Sequence, residues 1–354
     1  MSDKSDKSDK SDKKGEAILL VGGRGTRLAP LTDAIAKPML PVGGVPFIAH
    51  QVAQAQAAGI NKIILATSYL AQTFTDYFGD GSDFGVELIY AVEESALGTG
   101  GAIRNAAEFL SGPPNSAVVI FNGDVLSGHD LPGQIKAHEN SDADVTLYLT
   151  QVKDARAYGC VPCDQSGQVL DFLEKMENPV TDLINAGCYI FKRSIIDQIP
   201  ANKVVSVERE TFPQLLKSGA NIRGFIDNSY WLDVGTPQAL LTASRDLVLR
   251  KISSPAVVNQ IKDCVISPTA TIDATAKISG GTTIGDLVTV AAGVEIFGSI
   301  ISSGSQIAAN SQIKNSILGR LVKVGDSAQI FGSVLADGEK IAENTILRQE
   351  ISLF

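Results

Sequence analysis

Between Ala17 and about Arg250, short apolar runs alternate with helix-like stretches, the pattern of an α/β domain built around a mostly parallel sheet. The first run, Ala17 to Val21, ends directly in glycines. The run Ala117 to Phe121 is apolar at every position, which predicts a strand covered on both faces, delivering Asn122-Gly123-Asp124 at its carboxyl end. One helix carries both end signals: Pro46 near its start and Gly59 after an Ala/Gln-rich stretch, with the strand Lys62 to Thr67 following at once. Open sheets of this kind bind ligands at the carboxyl edge of their strands.

Beyond that region the pattern changes period. From Ile266 an aliphatic residue falls every six positions through Ile272, Ile278, Ile284, Val290 and Ile296; the ruler then resets to Ile301, Ile307, Ile313, to Leu318, Val324, Ile330, and to Leu335, Ile341, Leu347. The triplets Ser299-Ile300-Ile301, Ser316-Ile317-Leu318 and Ser333-Val334-Leu335 recur at seventeen residues. Such hexapeptide periodicity predicts a parallel β-helix of five coils, each short strand burying one aliphatic residue against the next coil. An acyltransferase reading of this solenoid lacks its usual base, because no histidine follows His138; a scaffold for assembly is the better reading.

Composition narrows the classes. The 354 residues are 44% hydrophobic and 19% charged, enough for two domains with sizeable cores. A net charge of -9 repels nucleic acid and anionic membrane, so a phosphate ligand must be captured by a local basic cluster. Met1 to Lys14 repeats Ser-Asp-Lys without an apolar residue and predicts a disordered tail. No run approaches the roughly 18 apolar residues that span a bilayer, so a cytoplasmic protein is expected. Cys160 and Cys163 lie in an apparent strand where positions i and i+3 face opposite sides, which argues against a disulfide, and the spacing of Cys188 and Cys264 completes no zinc site. His50, His129 and His138 have no metal-binding spacing.

The chemistry concentrates in Gly22-Gly23-Arg24-Gly25-Thr26-Arg27, right after the first apolar run. A strand ending in such a turn exposes backbone N–H groups, and Arg27 adds a fork of donors for phosphate oxygens. The Gly-Lys-Ser/Thr close of a P-loop is missing, and the glycine spacing is not that of a dinucleotide fingerprint. Ten residues on, Lys37 stands in a proline-flanked segment, Lys37-Pro38-Met39-Leu40-Pro41, from which its ammonium could point back at the same phosphates; a solvated surface lysine is the alternative.

Gly-x-Gly-Thr-Arg followed by the Lys-Pro segment resembles the sugar-1-phosphate nucleotidylyltransferase family. Further matches run in order: Leu97-Gly98-Thr99-Gly100-Gly101, Asn122-Gly123-Asp124, Tyr158-Gly159-Cys160-Val161, Phe172-Leu173-Glu174-Lys175, Asn185-Ala186-Gly187 and Trp231 to Pro237. Within the family, Phe121 to Gly128 and Ser206-Val207-Glu208-Arg209-Glu210 are similar to mannose-1-phosphate guanylyltransferases of actinobacterial type. Two positions depart from the family pattern: Ala36 precedes the motif lysine where proline is usual, and Met176 follows Glu174-Lys175 where proline is usual.

The resemblance implies a Rossmann-like nucleotidyltransferase domain over 15–250 and a left-handed parallel β-helix domain over 251–354, after the tail at 1–14. It further implies an enzyme joining GTP and a sugar 1-phosphate, with Mg²⁺ held by Asp124 and Asp233. Gly22, Gly23, Gly25, Thr26, Arg27, Glu93, Gly98, Thr99 and Gly100 would line the nucleotide, and Asn122, Gly159, Glu174, Lys175 and Asn185 the sugar phosphate. Arg27, Lys37, Asp124, Lys175 and Asp233 would carry the chemistry. Two hard carboxylates with positions left for water and phosphate suit Mg²⁺. Glu93 favours guanine, whose N1–H and N2 amino donors one carboxylate can accept together, although Glu94 could exchange roles with it. UTP or dTTP with glucose 1-phosphate, a heptose phosphate with GTP, and a non-catalytic regulatory paralogue remain the alternative readings. Exposed coils of a β-helix commonly assemble, so a homo-oligomer is expected.

Overall fold

The computed structural model describes residues 15–68, 70–173 and 175–349. The expected tail at 1–14 and Glu174 lie outside those residues.

Seven strands form the main sheet: β1 (Gly15–Leu20), β2 (Ile60–Thr67), β3 (Glu87–Val92), β4 (Ala117–Asn122), β5 (Val145–Gln151), β6 (Leu183–Lys192) and β7 (Ile222–Ile226). Their order is β7-β5-β6-β4-β1-β2-β3. All neighbours are parallel except β6, which runs antiparallel to both β4 and β5. The apolar run ending in Asn122 is thus an interior strand, as its lack of alternation predicts. The chain leaves β1 toward β2 on one side and returns to β4 on the other, so β1 and β4 flank the point where the strand order reverses. Their carboxyl ends deliver the glycine loop and Asn122-Gly123-Asp124 side by side, and the Gly123 N–H donates to the Leu20 carbonyl at 3.0 Å.

Helix α1 (Phe47–Ala57) starts right after Pro46, and β2 begins two residues earlier than its pattern indicates. The apparent strand around Cys160 and Cys163 is reduced to two isolated antiparallel bridges, Cys160 with Leu173 and Cys163 with Val169. Pro162 lies between them and has no N–H to give a ladder. All four cysteines are free thiols.

Residues 264–348 wind into a parallel β-helix whose three faces each stack five short parallel strands, with Gln260–Ile261 adding an antiparallel edge to one face. All fifteen aliphatic anchors join one interior cluster; those left only partly buried are Ile266, Ile272 and Ile278 of the first coil and Leu347 of the last, which lack a neighbouring coil on one side. The recurring triplet now has a physical basis. Its serine is buried, and the Ser299 hydroxyl accepts the Ser316 N–H at 3.1 Å while the Ser316 hydroxyl accepts the Ser333 N–H at 3.1 Å. Its third residue points inward, and its second, Ile300 or Ile317, points outward into a cluster with Leu240, Leu241 and Leu247 of helix α2 (Pro237–Val248). That cluster also contains Leu28, Leu31 and Leu40, which flank Arg27 and Lys37, so the solenoid buttresses the segments that carry the candidate phosphate ligands. Among the described residues no helix is long and apolar enough to cross a membrane.

Candidate active site

Five charged residues converge where the carboxyl ends of β1 and β4 meet a small antiparallel pair, Val125–Ser127 with Trp231–Asp233. In this pair Asp233 stands opposite Val125, and the Val234 N–H donates to the Asp124 carbonyl at 2.8 Å. The two aspartates predicted from distant parts of the sequence therefore sit one step apart on paired backbone. Burial pushes the Asp233 carboxyl above its ordinary range, and the charge of Asp124 pushes it the same way; Lys37, Arg27 and Lys175 oppose them. Oδ1 of Asp233 is buried, and no hydrogen-bond donor among the described residues reaches it. An orphaned acceptor of this kind next to a second carboxylate fits a hard divalent cation, which needs only one or two protein carboxylates when phosphates and water supply the rest.

The cations are held by sterics as well as charge. Gly25 adopts φ +63°, and a Cβ there would fall 2.7 Å from Lys37 Cβ, so the glycine lets the loop fold tightly onto the lysine stem. Lys37 is largely buried and its Nζ lies 2.8 Å from Asp124 Oδ2. The Arg27 guanidinium crosses the face of Gly235, where a Cβ would meet Arg27 Nη2 at 2.6 Å and Asp233 Oδ1 at 3.0 Å. Gly23 has open space around its Cα and Thr26 is exposed, leaving the loop's outer side accessible. Gly22 packs against Ser68, whose hydroxyl donates to the Gly22 carbonyl at 2.8 Å.

Across the cleft, Glu93 follows β3 and its Oε2 accepts the Leu97 N–H at 3.1 Å, shaping the turn before Gly98. Burial raises the Glu93 carboxyl, and that N–H partly offsets the effect. Glu94 is exposed. Thr99 and Gly100 have their polar groups engaged inside the protein: the Thr99 hydroxyl donates to Glu208 Oε2 at 3.0 Å, and the Gly100 N–H donates to the Val205 carbonyl at 2.8 Å.

On the remaining side Asn122 and Asn185 both donate to the hydroxyl of the buried Tyr189, at 3.2 and 3.0 Å. Gly159, with φ +72°, follows Tyr158, whose ring packs edge-on against Trp231 at 5.3 Å between centroids. Burial raises the Tyr158 hydroxyl first and the Asp233 charge second, while Arg27 lowers it, so this tyrosine belongs to the cluster. Lys175 is exposed, and its charge is felt at Asp233. Tyr158, Gly235 and Glu208 are site neighbours whose place in the sequence motifs carries no role by itself. Each acts through a contact distant in sequence, and only for Gly235 is there a local hint, in its place two residues after Asp233.

The family model described as nucleotidyl transferase matches residues 16–249, and the one described as GMPPB C-terminal domain matches 260–353. The chain is 46% identical over 300 residues to the mannose-1-phosphate guanylyltransferase of Mycobacterium tuberculosis, covering 84% of this chain and 83% of that protein. It is 34% identical over 262 residues to the mannose-1-phosphate guanylyltransferase catalytic subunit beta of Drosophila pseudoobscura, covering 72% and 70% respectively. Among solved structures, HddC from Yersinia pseudotuberculosis complexed with GMP-PN aligns with a TM-score of 0.55 at 29% identity, over 65% of this chain and 98% of that one.

Proposed function

The chain belongs to the nucleotidyl transferase family, and on that footing we propose that it makes GDP-mannose and diphosphate from GTP and mannose 1-phosphate. A phosphate oxygen of the sugar phosphate attacks the α-phosphorus of GTP in line, one P–O bond forms, and the bond to the departing pyrophosphate breaks. Phosphate is nucleophilic at neutral pH, so the reaction needs no general base, in keeping with three histidines buried in the structure. The barrier lies in bringing two polyanions together, and fixed positive charge lowers it. Arg27 grips the β/γ-phosphates from its seat over Gly235, Lys37 turns from Asp124 to the transferring or leaving phosphate, and Lys175 meets the sugar phosphate. Asp124 and Asp233 would hold Mg²⁺, which supplies neutralisation of the nucleotide phosphates when bound. Asn122, Gly159 and Asn185 line the sugar, and the family resemblance gives Glu174 the role of accepting from its hydroxyls. The observation that carries this reading is the orphaned Oδ1 of Asp233 beside Asp124, ringed by Arg27, Lys37 and Lys175.

Guanine is favoured by Glu93, whose Oε2 is fixed by Leu97 while Oε1 is left for a paired N–H donor edge. The relatives' names and the GMP-PN complex of HddC support the same base and, for the curated relatives, mannose. Initial rates over GTP, UTP, dTTP and ATP with mannose, glucose and heptose 1-phosphates test it. GTP with mannose 1-phosphate should lead, and Glu93→Gln should erode the guanine preference by about tenfold or more; a wild-type preference for UTP or dTTP rejects the assignment.

We also infer assembly through the β-helix. Leu287 and Leu321 are exposed at equivalent corners two coils apart, and two exposed leucines along one edge of the solenoid give a second copy an apolar surface to cover. Sedimentation of the Leu287→Asp, Leu321→Asp double variant should give a smaller particle than the parent; an unchanged particle removes this role.

A further inference from the structure

One carboxylate outside the charged cluster gathers hydroxyls from its own turn and from two distant segments. Glu208 sits in a π-helical turn, Val207–Thr211, an irregularity that recurs at functional sites. Its Oε2 accepts from Thr99 Oγ1 at 3.0 Å and Ser206 Oγ at 3.2 Å, and its Oε1 accepts from the Tyr189 hydroxyl at 3.2 Å. On the nucleotide side the joint is rigid: the Val207 N–H donates to Thr99 Oγ1 at 2.8 Å, Gly100 N–H to the Val205 carbonyl at 2.8 Å, and Val205 N–H to the Leu97 carbonyl at 2.9 Å. The loop shaped by Glu93 and the turn bearing Glu208 are therefore tied directly to each other.

On the sugar side the joint is a single proton. Tyr189 is fully buried, and a phenol has one O–H to donate and two lone pairs with which to accept. Donation to Glu208 Oε1 at 3.2 Å leaves both lone pairs for Nδ2 of Asn122 and Nδ2 of Asn185, and Asn122 Oδ1, 3.4 Å from the same hydroxyl, is the competing acceptor. Asn185 thereby turns its NH₂ toward the phenol, and its Oδ1 accepts the Gly187 N–H at 3.1 Å. Were Glu208 an amide, its NH₂ would have to face either Tyr189 or the Thr99 and Ser206 pair. In the first case the phenol must donate to an asparagine carbonyl instead, Asn122 Oδ1 being the nearest; in the second Thr99 and Ser206 lose the acceptor they share.

We propose that Glu208 is a positioning residue that couples the two substrate sites, so that filling the nucleotide loop orients Asn122 and Asn185 for the sugar phosphate, and the reverse. The coupling is reciprocal by linkage, and the network is buried enough for its polar contacts to be costly to break. This rests on the reading of the two sites given above.

The test is initial-rate kinetics with both substrates varied, which separates the dissociation constant of each substrate alone from its KM when the other is bound. The wild type should show each substrate tightening the other by about fivefold or more. Glu208→Gln, of the same shape, should bring that factor close to one and raise KM for the sugar phosphate about tenfold, while calorimetric GTP affinity without sugar phosphate changes less than about threefold. Tyr189→Phe removes the same proton and should erase the coupling even if Glu208→Gln proves unstable. A coupling factor equal to the wild type's in either folded variant overturns the proposal, as does a wild type with no coupling. The wild-type assay separately reveals a wrong substrate pair, in which case the coupling is measured on the pair that turns over.

Discussion

Lys37 Nζ lies 2.8 Å from Asp124 Oδ2, so the ammonium of one strand-end loop occupies the carboxylate of the other. A cation that takes up Asp124 Oδ2 displaces this contact and frees Lys37 for phosphate. The two partners therefore respond oppositely to metal. Asp124→Asn should lower kcat by about a hundredfold or more, some 3 kcal/mol of transition-state stabilisation, and raise the Mg²⁺ concentration for half-maximal rate. Lys37→Met should also lower kcat about a hundredfold, yet lower the Mg²⁺ requirement, because the competing ammonium is gone. Rates measured across a Mg²⁺ titration check both, and parallel shifts in Mg²⁺ requirement would exclude the competition.

Asp233 carries a carboxyl raised by burial and by Asp124. A carboxyl whose folded value is raised costs stability once pH exceeds its unfolded value, because the folded state then holds an ionised group it would rather protonate. Asp233→Asn removes that cost. The unliganded variant should melt about 2 °C above the parent at pH 7, with the gap closing toward pH 4, and it should lose turnover. Calorimetric scans at the two pH values decide the matter; a variant less stable than the parent at pH 7 contradicts it.

Gly235→Ala places a methyl where Arg27 Nη2 now lies, 2.6 Å from the added carbon. The guanidinium must leave its seat, while the backbone there needs no change of fold. KM for GTP should rise about tenfold, the loss of roughly 1.4 kcal/mol of phosphate binding, with the melting midpoint nearly unaltered. An unchanged KM would mean Arg27 does not hold the triphosphate.

Much of this architecture was legible in the chain, for reasons that differ by region. Fifteen aliphatic anchors at six-residue spacing define the β-helix, because a coil can bury one residue per face and nothing else satisfies that ruler. The apolar run into Asn122 identified an interior strand, since a strand covered on both faces cannot alternate. The triplet's middle residues, Ile300 and Ile317, were visible as a repeat but not as the docking face for α2, because periodicity reveals a face without its occupant. Asp124 and Asp233 were found as motif members; that they lie on paired backbone depends on contacts between segments over 100 residues apart. Glu208 is visible in the sequence only as a motif member, because two of its partners, Thr99 and Tyr189, come from distant elements while Ser206 stands two residues before it.

Stability should depend on pH through the histidines. His50, His129 and His138 are each lowered from 6.5 to about 4, in every case chiefly by burial. His50 shows the neutral form in place, with Nε2 donating to the Val42 carbonyl at 2.9 Å and Nδ1 accepting from Ser254 at 2.7 Å. Between those values the unfolded chain binds protons that the folded chain refuses, so stability is held above pH 6.5 and falls as pH drops toward 4, by up to about 3 kcal/mol per histidine. Urea unfolding at fixed pH values should give a flat midpoint from pH 8 to 7 and a steep decline from 6.5 to 4.5. A midpoint independent of pH across that lower window rejects the burial argument.

The central claim is that the Asp124–Asp233 pair, with Arg27, Lys37 and Lys175, joins a guanine nucleotide to a sugar phosphate at a divalent cation. Pyrophosphate release from GTP and mannose 1-phosphate, followed as Mg²⁺ is titrated into EDTA-treated enzyme, tests it most directly. The account predicts release that requires both substrates, rises with Mg²⁺ from a negligible base, and falls at least a hundredfold in Asp233→Asn. Release that proceeds equally without a divalent cation, or survives intact in that variant, would contradict it.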